Sequence, residues 1–452
     1  MTSYRSSIGR LGGLSAGIEP RRPALWSVYL ALCIVLGGAS AAGAMANWVL
    51  QVAAIIVLAR EFLIGAPDRR PLPKALRAAL MVLTAIAILQ LLPLPAAWFN
   101  GSIRGIVRAI LTTISANPSW SSLSTTPLNS IACLLSLLPA IAMAVLFGRS
   151  IKEPEPLPVI VLGLAFVSIL LGAAQLATGG DSPFYLYTIT NHGSPVGFFS
   201  NRNHFATFVL MVVPVAAYMS RKQDGDSRTQ ARARLIGLAG IAAIIFIVMM
   251  LIGSDTGILL SFPIIGASFL LYHNVRVPPI VTTVTVAVLT TGLGLTTVYG
   301  ASFIAYLRPD GVPQLDRTFI WDKTLKMIIT SFPFGTGLGS FATAFANLED
   351  PMTVTPIFVN HAHNDYLEIA SELGLLGVAL IITFLSWWIR QAVKIWKSAD
   401  TLAKLGVVMS AIVLLHSAVD YPARTAAIMA LFAAAIALMI RHNLNDAPVV
   451  NH

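Results

Sequence analysis

The stretch Asn360-His361-Ala362-His363-Asn364-Asp365-Tyr366-Leu367-Glu368-Ile369-Ala370-Ser371-Glu372 gathers two histidines, two amides and three carboxylates in an otherwise apolar chain. An imidazole with an ordinary pKa of about 6.5 can take or give a proton near neutrality, so proton transfer is the first chemistry to consider. If a helix begins near Asn364, His363 stands at its mouth, and Asp365, Glu368 and Glu372 share one face at helical spacing. The pattern His361-x-His363-x-Asp365 also reads as a set of metal ligands. That spacing is common and no further Cys/His set accompanies it, so no metal is expected. The plainest alternative is a surface histidine at a helix start.

Two more clusters carry polar residues at suggestive places. Gly197-Phe198-Phe199-Ser200-Asn201-Arg202-Asn203-His204-Phe205-Ala206 supplies an arginine, two amides and a histidine where an apolar run begins. Asn201 or Asn203 could cap that helix, and Arg202 could snorkel to a membrane interface. Leu315-Asp316-Arg317-Thr318-Phe319-Ile320-Trp321 is followed by Phe332-Pro333-Phe334-Gly335-Thr336-Gly337-Leu338-Gly339-Ser340-Phe341. The alternating glycines lack the preceding strand and the lysine of a nucleotide loop, so a tight turn packed backbone to backbone is the better reading.

The elements that must position these clusters are membrane helices. The chain has 452 residues, 56% of them apolar and 11% charged, with a mean hydropathy of +0.77. Soluble domains carry about 25% charged residues, so lipid is the expected solvent. Cys33 and Cys133 both lie in apolar runs, which argues against a disulfide framework. A bilayer core of roughly 30 Å takes about 20 apolar residues of helix. Twelve such runs centre on 24–42, 44–60, 75–94, 128–148, 157–177, 203–220, 233–253, 256–273, 278–300, 371–392, 403–418 and 424–441. The expected fold class is therefore all-α, a polytopic membrane helix bundle of about twelve spans. Its parts are an N-terminal tail (1–23), nine spans with short loops (24–300), a large loop holding short helices (301–370), three further spans (371–441) and a C-terminal tail (442–452).

The net charge of +10 is a topology signal, not a nucleic-acid footprint. One face holds only Arg104, Arg108, Arg202, Arg308, Arg317, Lys323, Lys326 and Arg424, and every other Lys and Arg falls on the opposite face with both termini. The positive-inside rule makes the basic face cytoplasmic and puts 95–127, 178–202 and 301–370 outside. The tail is too polar and too long before its first apolar run to look like a cleaved signal peptide, so that run is expected to be retained. Phe99, Ile103, Ile106, Val107, Ile110 and Leu111 recur at helical spacing, which suggests either a helix lying on the membrane surface or an ordinary connecting helix.

The strings GFFSNRNHFA, LDRTFIW with FPFGTGLGSF, and HAHNDYLEIASELGLLG resemble the O-antigen ligase and polymerase superfamily of bacterial envelope polysaccharide synthesis. The more specific part is His363-Asn364, then nine residues, then Gly374 and Gly377. The resemblance implies a glycosyltransferase of the bacterial inner membrane whose site faces the periplasm. It would take a glycan from undecaprenyl diphosphate and use no cofactor, nucleotide sugar or metal. The acceptor would be lipid A-core for a ligase, or a second lipid-linked glycan for a polymerase, with membrane lipids around both. By the same resemblance Arg317 holds the diphosphate and His363 is the essential histidine. Arg202, Asn201, His204, Asn364, Asp365, Glu368 and Trp321 are expected around the substrate. One position departs from the family: Gly253-Ser254-Asp255-Thr256-Gly257 has an acid where an arginine is expected, which leaves either Arg202 as its substitute or an inactive, degenerate member.

The residue types suit the task. Arginine binds phosphate oxygens with a planar fork and stays charged, and histidine can deprotonate an acceptor hydroxyl. Direct displacement would invert the anomeric carbon without a nucleophilic carboxylate, leaving the acids to orient His363 or bind sugar hydroxyls. Trp321 could stack on a sugar or simply anchor the interface. The rival class is a transporter of an anionic lipid or solute. Its sites usually lie near the bilayer midplane, whereas these clusters gather at the outer helix ends and His416 is the clearest ionisable residue inside a run.

Overall fold

Among the described residues the apolar runs fold as helices, and prolines and polar side-chain caps mark several of their ends. The computed structural model describes residues 25–40, 43–63, 71–95, 120–122, 124–150, 156–221, 227–275, 317–349 and 359–445. The run 278–300, the amphipathic segment from Phe99 to Leu111, the N-terminal tail and residues 446–452 of the C-terminal tail lie outside the described residues.

In chain order the helices are α1 (Leu25–Leu36), α2 (Met45–Leu63), α3 (Lys74–Leu91), α4 (Pro127–Ser136), α5 (Leu138–Arg149), α6 (Pro156–Thr178), α7 (Arg202–Leu210) and α8 (Val212–Met219). They continue with α9 (Arg228–Ile252), α10 (Asp255–Tyr272), α11 (Arg317–Ser331), α12 (Phe341–Ala346), α13 (Asp365–Lys397), α14 (Thr401–Ser417) and α15 (Ala426–Asn445). Among the described residues the chain is all-helical apart from one three-residue antiparallel ladder, β1 (Pro93–Pro95) with β2 (Trp120–Ser122).

Among the described residues seven helices are long and apolar enough to cross a membrane, with α4 and α5 counted together as one span. Helices α1 and α14 and the stretch Ala426–His442 of α15 are apolar but shorter. Pro214 cannot donate to the carbonyl four residues back, and the run 203–220 accordingly divides at Met211 into α7 and α8. Pro139 marks the α4–α5 junction in the same way, whereas Pro263 stays inside α10. Ser227 and Gln230 form a reciprocal capping box that starts α9. Exposed Ile55, Ile56, Phe166, Ile236, Phe262 and Ile382 give the outer surface an apolar character that suits lipid contact.

The centre of the bundle is α15, packed along α14 and against α5 and α1. Trp26, Phe147, Leu431 and Met439 are fully buried there. A smaller apolar cluster of Ile320, Met327, Phe341, Phe345, Val359 and Ala362 ties α11 and α12 to the segment leading into α13.

Helix α13 is broken at Gly374, whose φ of 57° and ψ of −134° are open to glycine and strained for other residues. The break frees the carbonyls of Ser371 and Glu372, which accept from Thr336 N–H at 2.9 Å and Gly337 N–H at 2.7 Å. Leu375 N–H returns a bond to Pro333 O at 2.8 Å. A Cβ on Gly335 would stand 2.5 Å from Glu372 O. The glycine-rich turn therefore docks backbone to backbone on the interrupted helix, as expected from its sequence, and joins the α11–α12 segment to α13.

Candidate active site

His363 comes before α13, and the chain on either side of it is pinned. Asn364 Oδ1 accepts from Tyr366 N–H and Leu367 N–H, each at 3.0 Å, and so caps the helix. Its Nδ2 donates to Ala418 O at 2.8 Å. Trp321 Nε1 donates to Ala362 O at 3.0 Å, and Ala362 N–H donates to Glu368 Oε2 at 2.8 Å. Between these anchors His363 adopts φ 50°, a left-handed conformation that costs a non-glycine residue energy and persists where its surroundings over-determine it.

The partner of His363 is Asp420, in the reversal between α14 and α15. His363 Nδ1 lies 3.1 Å from Asp420 Oδ1. The fully buried carboxylate also accepts from Tyr421 N–H at 3.0 Å and from Asn203 Nδ2, and Arg317 Nη2 stands 3.7 Å from its other oxygen. Burial pushes this carboxyl up, but the His363 hydrogen bond and the nearby His363 and Arg317 charges override it and hold it well below the usual range. An ionised Asp420 accepts, so in the neutral imidazole of His363 the proton sits on Nδ1 and Nε2 keeps the lone pair. Sequence reasoning missed Asp420. Its signal was an acid in the short polar break between two apolar runs, where charge needs a reason.

Asp365, Glu368 and Glu372 do share one face of α13, and that face is turned inward around Arg424. Arg424 Nη2 lies 3.0 Å from Glu368 Oε1 and 3.3 Å from Glu372 Oε2, and its Nε lies 3.7 Å from Asp365 Oδ1. Asp365 Oδ2 also accepts from Ser417 Oγ at 2.7 Å and Ala423 N–H at 3.2 Å. Burial would lower the Arg424 pKa, but Glu368 and Glu372 raise it well above its ordinary value. Asp365 and Glu368 are expected from the sequence to touch substrate. The structure buries both carboxylates, and their bonds instead fix the turn that carries Asp420 and Arg424.

Helix α7 delivers the third side of the site. Asn201 Oδ1 caps the helix through Asn203 N–H at 2.8 Å, and Asn201 Nδ2 donates to the Tyr421 hydroxyl at 3.4 Å. His204 is fully buried and meets Tyr421 edge-on at 4.9 Å. His361 at 4.4 Å and His363 at 4.9 Å meet the same ring. Gln175 uses its whole amide to hold the preceding loop. Its Oε1 accepts from Val196 N–H and Gly197 N–H, each at 2.9 Å, and its Nε2 donates to Phe184 O and Gly197 O. Arg202 N–H donates to Asn191 Oδ1 at 2.9 Å. The Arg202 guanidinium points toward Gly253, where an added Cβ would be 3.8 Å from Nη1, and no hydrogen bond or ion pair engages it among the described residues. Asp255 begins α10 in the turn after Gly253. His416 is buried, with Nδ1 2.7 Å from Thr207 Oγ1, the setting of a packed core histidine.

The structure thus brings Asn201, Trp321, Arg317, His361, His363, Asn364, Asp365 and Glu368 into one cluster with Asn203, Asp420, Tyr421 and Arg424, while Arg202 stands by the Gly253 turn. His361 Nδ1 is engaged by Glu368 as His363 Nδ1 is by Asp420. Among the described residues no three His, Cys, Asp or Glu side chains converge as metal ligands.

A family model described as O-antigen ligase matches residues 240–382. The matched span runs from α9 into α13 and contains Arg317, Trp321, His361, His363 and the glycine turn, while Arg202, Asp420 and Arg424 fall outside it. No curated protein matches the chain. The match to residues 240–382, together with the long apolar helices, supports an integral membrane protein related to the O-antigen ligase and polymerase superfamily of glycosyltransferase-like enzymes.

Proposed function

We propose that the chain transfers a glycan from undecaprenyl diphosphate to an acceptor hydroxyl at the periplasmic face of the bacterial inner membrane. The observation that carries this reading is the buried Asp420, which orients His363 through Nδ1 at 3.1 Å and stands 3.7 Å from Arg317. A base and a phosphate-binding cation are thereby held at one carboxylate.

His363 Nε2 takes the proton of the acceptor hydroxyl as its oxygen attacks the anomeric carbon. The bond from that carbon to the diphosphate oxygen breaks, and undecaprenyl diphosphate leaves with the electron pair. Arg317 meets the charge that develops on the leaving group, where a fixed cation helps most. Arg202 can add a second contact from the Gly253 turn and offset Asp255. Attack from the face opposite the leaving group inverts the anomeric carbon. The distribution of basic residues supports the sidedness, with both termini cytoplasmic and the 301–370 loop outside.

A lipid A-core acceptor makes the protein a ligase, and a second lipid-linked glycan makes it a polymerase. A polymerase has two polyprenyl diphosphates to hold. Arg424, a further candidate cation by sequence, is occupied by Glu368 and Glu372, which leaves Arg202 and Arg317. The His363-to-Gly377 spacing resembles the ligase branch, and we favour that acceptor. Deleting the gene and analysing lipid-linked glycans decides the matter. A ligase mutant accumulates long chains on undecaprenyl diphosphate, and a polymerase mutant accumulates single repeat units. Unchanged lipid-linked and surface glycans would refute both readings in favour of a transporter.

A further inference from the structure

Two imidazoles in this cluster have a carboxylate behind them. Beside the His363–Asp420 pair, His361 Nδ1 lies 2.8 Å from Glu368 Oε1. Glu368 is buried, forms an ion pair with Arg424 Nη2 at 3.0 Å and accepts from Ala362 N–H at 2.8 Å, so it meets His361 as an acceptor. The His361 ring is tilted 34° on the Tyr421 ring at 4.4 Å, and its side chain remains 17% exposed. Among the described residues no hydrogen bond engages Nε2. The result is an imidazole fixed on two sides with one free nitrogen, the arrangement of a group built to meet a ligand atom.

The reaction proposed above gives that nitrogen no proton to move. One carbon–oxygen bond forms, one breaks, the acceptor hydroxyl releases a single proton to His363, and the diphosphate leaves as an anion. Hydrogen bonding is what remains for His361. Its position says to what. Arg317 and Trp321 are one turn apart on α11, about 6 Å at 1.5 Å per residue, and Trp321 Nε1 holds the carbonyl of Ala362, next to His361. A diphosphate at Arg317 therefore has His361 about one sugar ring away. Resting on the reading above, we propose that His361 is a saccharide-binding residue whose Nε2 accepts a hydrogen bond from a hydroxyl of the sugar attached to the diphosphate.

The test compares binding of two lipids to the purified full chain in lipid nanodiscs: undecaprenyl diphosphate-linked glycan extracted from the parent cells, and synthetic undecaprenyl diphosphate. One hydrogen bond to the sugar should favour the glycan-bearing lipid about 10-fold. His361→Phe keeps a ring against Tyr421 and removes both nitrogens, and should bring that ratio to about one. His361→Gln should keep part of the ratio and retain measurable transfer, whereas His363→Gln should abolish transfer. An unchanged ratio in His361→Phe, or no preference for the glycan in the wild type despite tight binding of both lipids, would overturn this inference alone. Loss of transfer in His361→Gln as complete as in His363→Gln would make His361 a second acid–base group and also overturn it. Binding of neither lipid would take down the polyprenyl diphosphate reading and this inference together.

Discussion

Asp420→Asn changes one atom at the centre of the cluster, and the geometry dictates its consequences. The carboxylate offers one oxygen to His363 Nδ1 at 3.1 Å and the other to Asn203 Nδ2. An amide can accept on one side only. If its oxygen faces His363, its NH2 group meets the Asn203 donor. If it turns round, it donates to His363 Nδ1, which moves the imidazole proton to Nε2 and removes the base. The charge that steadies the imidazolium is lost in both cases. A hydrogen bond to a charged group is worth about 1.5–3 kcal/mol, or ~10- to 150-fold in rate, and a wrong tautomer in comparable dyads extends the loss to ~10⁴-fold. Transfer by Asp420→Asn should therefore fall about 10²- to 10⁴-fold in kcat, read with purified protein and extracted lipid-linked glycan. Adding Asn203→Asp lets the new amide donate to a carboxylate and accept from His363, and should recover at least about 10-fold of the loss. The pH dependence has a definite sign. A carboxyl held below its unfolded value contributes stability that is present above the unfolded pKa of about 3.9 and lost as pH falls through the folded one. The stability deficit of Asp420→Asn should thus be constant from about pH 5 upward and shrink in acid. Wild-type turnover by Asp420→Asn, or no recovery in the double variant, would refute this account of the dyad.

Arg317→Ala should lower transfer by about 2–5 kcal/mol, roughly 30-fold to several-thousand-fold, with normal protein level in membranes. Arg317→Lys should recover little of it because a point charge does not replace a fork. If Arg202 supplies the cation missing at position 255, Arg202→Ala should also impair transfer, and Asp255→Arg should be tolerated or raise activity. Arg424→Ala strands three buried carboxylates and should cost about 3–5 kcal/mol in thermal or denaturant unfolding; an unshifted transition would show that the cluster is not what fixes the Asp420 turn. In a background without Cys33 and Cys133, Thr353→Cys should react with an impermeant thiol reagent once the outer membrane is permeabilised, and Gln223→Cys should not. Labelling of Gln223→Cys alone would invert the topology.

Where a sequence signal is local, the fold obeys it. Asn364 begins α13 because its side chain has no better use than the free N–H groups of the first turn, and Asn201 does the same for α7. The runs drawn apart at 24–42 and 44–60, and at 233–253 and 256–273, are separate helices, the second pair divided at the left-handed Gly253. Hydropathy is blind to breaks inside a run. It carries no information on Met211 or Leu137 as junctions until the neighbouring proline is given its missing N–H, and none on Gly374, where the apolar pattern continues across a backbone that leaves the helix. The interruption at Gly374 exists because a separate turn, Pro333 to Gly337, supplies the partners for the freed groups. That is a tertiary fact with no local trace beyond the glycines themselves.

The site was legible to the extent that one segment carries it. His363, Asn364 and the carboxylates of α13 announce themselves by spacing, and Arg317 with Trp321 by standing together in a polar break. Spacing gives a face and not what the face meets. Asp365, Glu368 and Glu372 could equally have lined a sugar groove, and what turns them inward is Arg424, more than fifty residues on, whose charge has no other compensation in the buried turn. Asp420 was hidden for the same reason: alone between two apolar runs it looks like a loop residue, and its role exists only once α7 brings Asn203, α11 brings Arg317 and α13 brings His363 to its two oxygens. A carboxylate is stable in such a place only if its lone pairs and charge are met from several directions. A single acid or base in a short break between membrane runs therefore implies partners elsewhere in the chain, and here the partners of Asp420 include Arg317 and His363, to which the resemblance gave the central roles.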